Sequence, residues 1–159
     1  MRMGKRLFGS GKTTARRLET STSQKTQQEN KATRSLGRKL EMSNTMLQDA
    51  TKINGFIGAC LVDGESGLML ASEGGGMLDL NLVAALNTDF VKAKQTAIDQ
   101  LGLKQNIEDI LITLDQQVHL IRPLDRNRSM FIYVALDKAS SNLGLARIKL
   151  KALESSLKI

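Results

Sequence analysis

The spacing of apolar residues changes several times along this chain, and each change marks an element. From about Glu41, Met42, Met46, Leu47, Ala50 and Ile53 recur at helical spacing, and Gly55 ends the run. Phe56 to Val62 is almost continuously apolar, as a strand covered on both faces would be. Asp63-Gly64-Glu65-Ser66-Gly67 is a turn signal, Leu68 to Ala71 resumes as a strand, and Glu73-Gly74-Gly75-Gly76 breaks it. Asp79 to Leu101 has the period of a long helix, which Gly102 closes. Ile107–Leu114, Val118–Leu124 and Met130–Leu136 read as three strands joined by Asp115-Gln116-Gln117 and Asp125-Arg126-Asn127-Arg128. Met130–Leu136 is apolar throughout and is expected mid-sheet beside Phe56–Val62, with Pro123, the only proline, at a strand end or edge. Ser140-Ser141 is expected to cap a final helix, with Leu143, Ala146, Leu150, Leu153 and Leu157 on one face. The order is α-β-β-α-β-β-β-α, an α+β domain.

The long helix has too wide an apolar arc for a single packing contact. Val83, Leu86, Phe90, Ala93, Ala97 and Leu101 form one stripe, and Leu80, Ala84, Val91 and Ile98 extend it. A helix resting on one sheet needs a narrower stripe. The surplus predicts a second contact, most simply with the same helix of another copy.

Composition separates the chain into two parts. Residues 1–40 carry eleven Lys or Arg against two acids, a charge of +9, while residues 41–159 carry −2, giving the net +7 of the 159-residue chain. Ten of the first 39 residues are Ser or Thr, and Phe8 is the only aromatic among them. Such a segment cannot repay its ordering entropy, so residues 1–40 are expected to form a disordered basic tail and 41–159 the domain. The tail could hold an anionic membrane, nucleic acid through phosphates, or an acidic protein, or serve only as a solubilising linker. It lacks the interleaved aromatics of a stacking platform. No apolar run reaches the ~18 residues of a membrane span. No secretory signal is visible, although the Arg-, Ser- and Thr-rich start has some features of a mitochondrial transit peptide. A single cysteine, Cys60, excludes an internal disulfide and accords with a cytoplasmic setting.

No catalytic constellation emerges. Gly9-Ser10-Gly11-Lys12-Thr13-Thr14 resembles a phosphate loop, but the position of its first glycine is Arg6 and no apolar strand precedes it. Glu73-Gly74-Gly75-Gly76 lacks nucleotide-loop spacing and is expected to be a flexible hinge. His119 is the only histidine, without a second metal ligand at a useful spacing, and is expected on the surface of a strand. Cys60, in an apolar run, is expected to be buried and inert. The acids Asp63, Glu65, Glu108, Asp109 and Asp125 are expected to be solvated. No cofactor, metal or catalytic residue is expected, and the chain is read as a binding protein rather than an enzyme.

An ordered set of segments resembles one family. Gly55-Phe56-Ile57-Gly58-Ala59-Cys60-Leu61-Val62-Asp63 and Ser66-Gly67-Leu68 resemble the first hairpin of Roadblock domains, the dynein light chain and bacterial GTPase-regulator type. Ile110-Leu111-Ile112-Thr113, His119 to Leu124, and Asn142 to Arg147 resemble its later strands and last helix. The resemblance covers about Glu41 to Leu157. It implies a five-stranded antiparallel sheet with one helix on one face and two on the other. It also implies a homodimer through the long helix and the following strand, which places Val83, Leu86, Asn87, Phe90, Val91, Lys94, Ile110 and Ile112 at the interface. By the same resemblance, a small Ras-like GTPase is the expected partner, either regulated or scaffolded. The alternative is a dimeric adaptor whose basic tail tethers it to a membrane, nucleic acid or a larger assembly, without a GTPase.

Overall fold

The computed structural model describes residues 46–157. The predicted basic tail, its Gly9–Thr14 segment and the start of the predicted first helix lie outside the described residues. Within them the elements run in this order: a 3-10 turn (Gln48–Lys52), β1 (Phe56–Asp63), β2 (Met69–Gly74), α1 (Leu80–Gln100), β3 (Ile110–Thr113), β4 (Gln117–Pro123), β5 (Met130–Asp137) and α2 (Leu143–Ser156). The five strands form one antiparallel sheet in the order β2-β1-β5-β4-β3. The two most apolar segments, β1 and β5, are central neighbours as expected, with Cys60 opposite Tyr133 and Leu61 opposite Ile132. Pro123 ends β4.

Side chains alternate across the sheet and build two cores. On one face Ala59, Leu61, Val118, Leu120, Ile132, Val134 and Leu136 pack against Leu47, Ala50 and Ile53 of the N-terminal turn and Ala146, Leu150, Leu153 and Leu157 of α2. On the other, Cys60, Val62, Ile121, Phe131, Tyr133 and Ala135 meet Leu80 and Ala84 of α1. The α+β architecture with helices on both faces therefore holds, and the described part of the first predicted helix is a 3-10 turn.

Several boundaries moved for local reasons. β2 runs to Gly74, so the glycines follow the strand pairing instead of breaking it, and Gly74 lies opposite Gly58. The glycine run is not a loose hinge. Gly75 N donates to Ile57 O at 2.9 Å, and a Cβ on Gly58 would stand 2.7 Å from Gly75 backbone atoms. This close approach brings the chain directly from β2 into α1. The strand expected from Ile107 begins at Ile110, because Ile107 is buried and Asp109 is committed to an ion pair. Asn142, not Ser140 or Ser141, caps α2: its side chain accepts from Leu145 N at 3.0 Å. Ser140 bonds the Asp137 carboxylate instead.

Candidate protein interface

Helix α1 begins where Asp79 Oδ1 accepts from Asn81 N (3.0 Å) and Leu82 N (3.1 Å), an N-cap. Its inward ridge is Leu80, Ala84 and Thr88, all buried. Thr88 is polar, and it is tolerated there because its hydroxyl donates to Ala84 O at 2.9 Å. The sequence pattern assigned the main stripe to Val83, Leu86, Phe90, Ala93, Ala97 and Leu101. The structure turns most of that stripe to solvent: Leu86 is 62% exposed, Phe90 43% and Leu101 70%, and Leu82, outside the predicted stripe, joins them at 55%. The residues treated as an extension, Leu80 and Ala84, are those that meet the sheet.

One flank of α1 is tied to the β1–β2 hairpin. Lys92 Nζ donates to Glu65 O at 2.8 Å, and Gly67 lies close to Ala85 and Thr88. The hairpin is fastened by Asp63, whose carboxylate accepts from Glu65 N and Ser66 Oγ. Those bonds, the Ser66 hydroxyl first, hold the Asp63 carboxyl below its usual range. The other flank carries Val83, Asn87, Val91 and Lys94 toward the β5-β4-β3 half of the sheet. There Ile110 and Ile112 of β3 are only half-buried, as are Val83 and Val91. Asn87 Nδ2 donates to Val83 O at 2.8 Å. The eight interface candidates are thus gathered on one side of the sheet, four on the helix flank, two on its outer face and two on the edge strand β3.

His119 stands in the same half-open surface, opposite Ile112 on β3 and Ala135 on β5. It is half-buried rather than a surface residue, its ring set edge-on to Tyr133 at 5.3 Å and its Nε2 3.0 Å from Gln117 Oε1. Desolvation lowers its pKa. Tyr133 is fully buried, and its hydroxyl is the buried side-chain polar atom left without a hydrogen-bond partner among the described residues.

No family model matches the sequence, and no curated protein does. Solved structures do match. The chain is similar to Myxococcus xanthus MglB (18% identity, 73% of this chain and 81% of that one, TM-score 0.59). It is likewise similar to a Roadblock/LC7 domain from Streptomyces avermitilis (15%, 68% and 87%, TM-score 0.59). A third match is the gliding protein MglB of Thermus thermophilus (17%, 72% and 84%, TM-score 0.60). The fold is the Roadblock fold.

Two features of this domain are not read from the sequence. Asp109, expected to be solvated, has a side chain only 6% exposed and is paired with Arg122, itself 3% exposed. Arg147 Nε of α2 donates to the same carboxylate at 2.6 Å, Arg122 Nη1 donates to Arg147 O, and Glu154 stands 3.9 Å from Arg122 Nε. The Asp109 bond raises the Arg147 pKa. An arginine inside an apolar strand was the available signal: the β3–β4 register that sets Ile110 against Ile121 sets Asp109 against Arg122. The second feature is a cleft of about 380 Å³ between the hairpin, α1 and the β4–β5 loop. Its cations are engaged already, Lys92 with Glu65 O and Arg128 with Ile107 O. Cys60 is buried as expected, and burial pushes its thiol up to about 12. Among the described residues no group of three or more His, Cys, Asp and Glu could hold a metal ion.

Proposed function

We propose that this protein is a homodimeric regulator or scaffold for a small Ras-like GTPase, working through binding. The observation that carries the reading is the apolar stripe Leu82–Leu86–Phe90 on the outer face of α1, next to the half-open Ile110–Ile112–His119 surface. Each large aliphatic or aromatic side chain removed from water contributes roughly 1.5–3 kcal/mol, so a second copy offering the same stripe has a favourable contact to make. A two-fold arrangement of α1 against α1 would also cover the sheet surface of β3 and β4 from each side, and such isologous contacts are the commonest form of oligomer. The Roadblock fold supports the GTPase partner, through the role its family resemblance implies.

Two measurements test the reading. Light scattering on the purified chain should give the mass of a dimer at micromolar concentration. A Ras-like GTPase from the same genome, purified and loaded with GDP or a non-hydrolysable GTP analogue, should bind the dimer with different affinities in the two states. A monomer would remove the first half of the reading, and nucleotide-independent absence of binding would remove the second.

A further inference from the structure

The cleft of about 380 Å³ lies between the β1–β2 hairpin, the second half of α1, the segment before β3 and the β4–β5 loop. Its lining is mainly apolar, with Val91, Ile107, Pro123 and Phe131 as the greasy surface. The last three are buried residues, fixed by the packing around them. The four walls are tied to one another. Lys92 Nζ of α1 donates to Glu65 O of the hairpin at 2.8 Å. Gly64 N of the hairpin donates to Ser129 O of the β4–β5 loop at 2.6 Å. Arg128 Nη1 of that loop donates to Ile107 O at 3.0 Å. The hollow is therefore part of the fold, formed before anything enters it.

Charge around the cleft is balanced. The cations Lys92 and Arg128 are matched by two acids, Glu65, which also lines it, and Asp125, 2.7 Å from Arg128. An anion would have to displace Asp125 or approach Glu65, and a cation would meet Lys92 and Arg128. Either leaves charge uncompensated against apolar walls, which is costly. Two of the neutral polar side chains are engaged as well. Gln95 Nε2 donates to Asp99 Oδ1 at 3.0 Å, and Ser129 Oγ to Asn127 Oδ1 at 2.7 Å. The exposed Asn106 side chain makes no hydrogen bond among the described residues, so its donor and acceptor are available.

We propose that this cleft binds an uncharged, mainly apolar small molecule with one polar end, which Asn106 receives. The volume falls at the lower end of the roughly 300–1,000 Å³ usual for small-molecule sites, and the lining has their character, apolar with a few placed polar groups. The outer ridge of α1 is apolar too, but a helix ridge is convex and encloses no ligand. The site lies within one chain and does not depend on the dimer.

The probe is N-phenyl-1-naphthylamine, an uncharged fluorophore, set against 1-anilinonaphthalene-8-sulfonate, which has the same rings and a negative charge. Titrated into the full chain, the uncharged probe should saturate one site per chain and bind about tenfold or more tighter than the sulfonate. Q95W and N106W bring an indole to the cleft from opposite walls, so the test survives if one of them fails to fold. Each folded variant, with far-ultraviolet circular dichroism unchanged, should weaken the uncharged probe about tenfold or more by taking the space of its buried rings. L82S/L86S, which strips apolar surface from the α1 ridge, should leave the affinity within about twofold, because the two places are independent. Absence of saturable binding, or equal or tighter binding of the sulfonate, overturns the proposal. Binding that survives both tryptophan variants overturns it equally. Dimer mass and GTPase affinity are read separately, so the α1 reading stands or falls on its own.

Discussion

Arg122 Nε and Nη2 grip both carboxylate oxygens of Asp109, at 2.7 and 2.9 Å, inside the sheet face that α2 covers. The pair joins the strand entering β3 to β4, and Arg147 joins both to α2. Removing one member leaves the other charged and buried, which costs about 3–5 kcal/mol. D109N should therefore lower the unfolding free energy by roughly that amount in a urea titration. The double variant D109L/R122M should recover most of the loss. A loss below about 1 kcal/mol for D109N would mean that the pair is solvated.

Phe90 and Leu86 lie outside the core, so changing them should affect assembly and not folding. F90E should raise the dissociation constant of the proposed dimer about 30-fold or more, as loss of a central apolar anchor does. Its urea midpoint, measured where the wild type is also monomeric, should move little, within about 0.5 kcal/mol. An unchanged dimer would remove α1 from the interface.

His119 gives the fold, and with it the proposed dimer, a pH dependence. Desolvation lowers its folded pKa below the ordinary 6.5. The unfolded chain then binds the proton more readily, so stability falls as pH drops through 6.5 and levels off below the lower folded value. Covering the half-open surface with a second copy deepens the desolvation, and dimerisation should weaken in the same direction. Sedimentation equilibrium across this range, with H119Q as the insensitive control, reads both effects. Tighter association in acid would contradict the placement of His119 at the interface.

The Tyr133 hydroxyl has no partner among the described residues. An unpaired buried hydroxyl costs about 1–3 kcal/mol, so Y133F should be neutral or stabilising by about 1 kcal/mol. Calorimetry of both proteins decides it. A clear loss would show that the hydroxyl is bonded in the assembled state.

At the contact between Gly58 and Gly75, a methyl group has no room. G58A would place its Cβ 2.7 Å from backbone atoms. Backbone must shift, and such overpacking costs about 1–3 kcal/mol. Thermal unfolding of G58A should show it; an unchanged melting temperature would mean that the entry into α1 adapts freely.

Most elements were legible because burial on two faces leaves an unmistakable trace. β1 and β5 are apolar throughout, α1 and α2 keep helical spacing, and the turns carry glycine or aspartate. What the sequence left hidden depended on contacts between distant residues. Period alone could not tell which side of α1 faces the sheet, since Leu80, Ala84 and Thr88 carry less apolar surface than Leu82, Leu86 and Phe90. The inward ridge is small because the helix sits close to β1, where Gly58 and Gly75 meet. Asp109 looked solvated because its partner lies 13 positions away. The eight interface candidates share one side of the sheet, which a linear pattern could suggest only through the family resemblance.

The absent β-carbons of Gly58 and Gly75 also set how two copies could meet. With no side chain on Gly58, the backbone that enters α1 lies directly against β1, and the greasy outer ridge starts from that close contact. Were two such ridges to cross, the depth at which each helix sits on its own sheet would shape the encounter. A methyl group at position 58 would wedge the helix entry away from the strand, and the ridge would be carried outward with it.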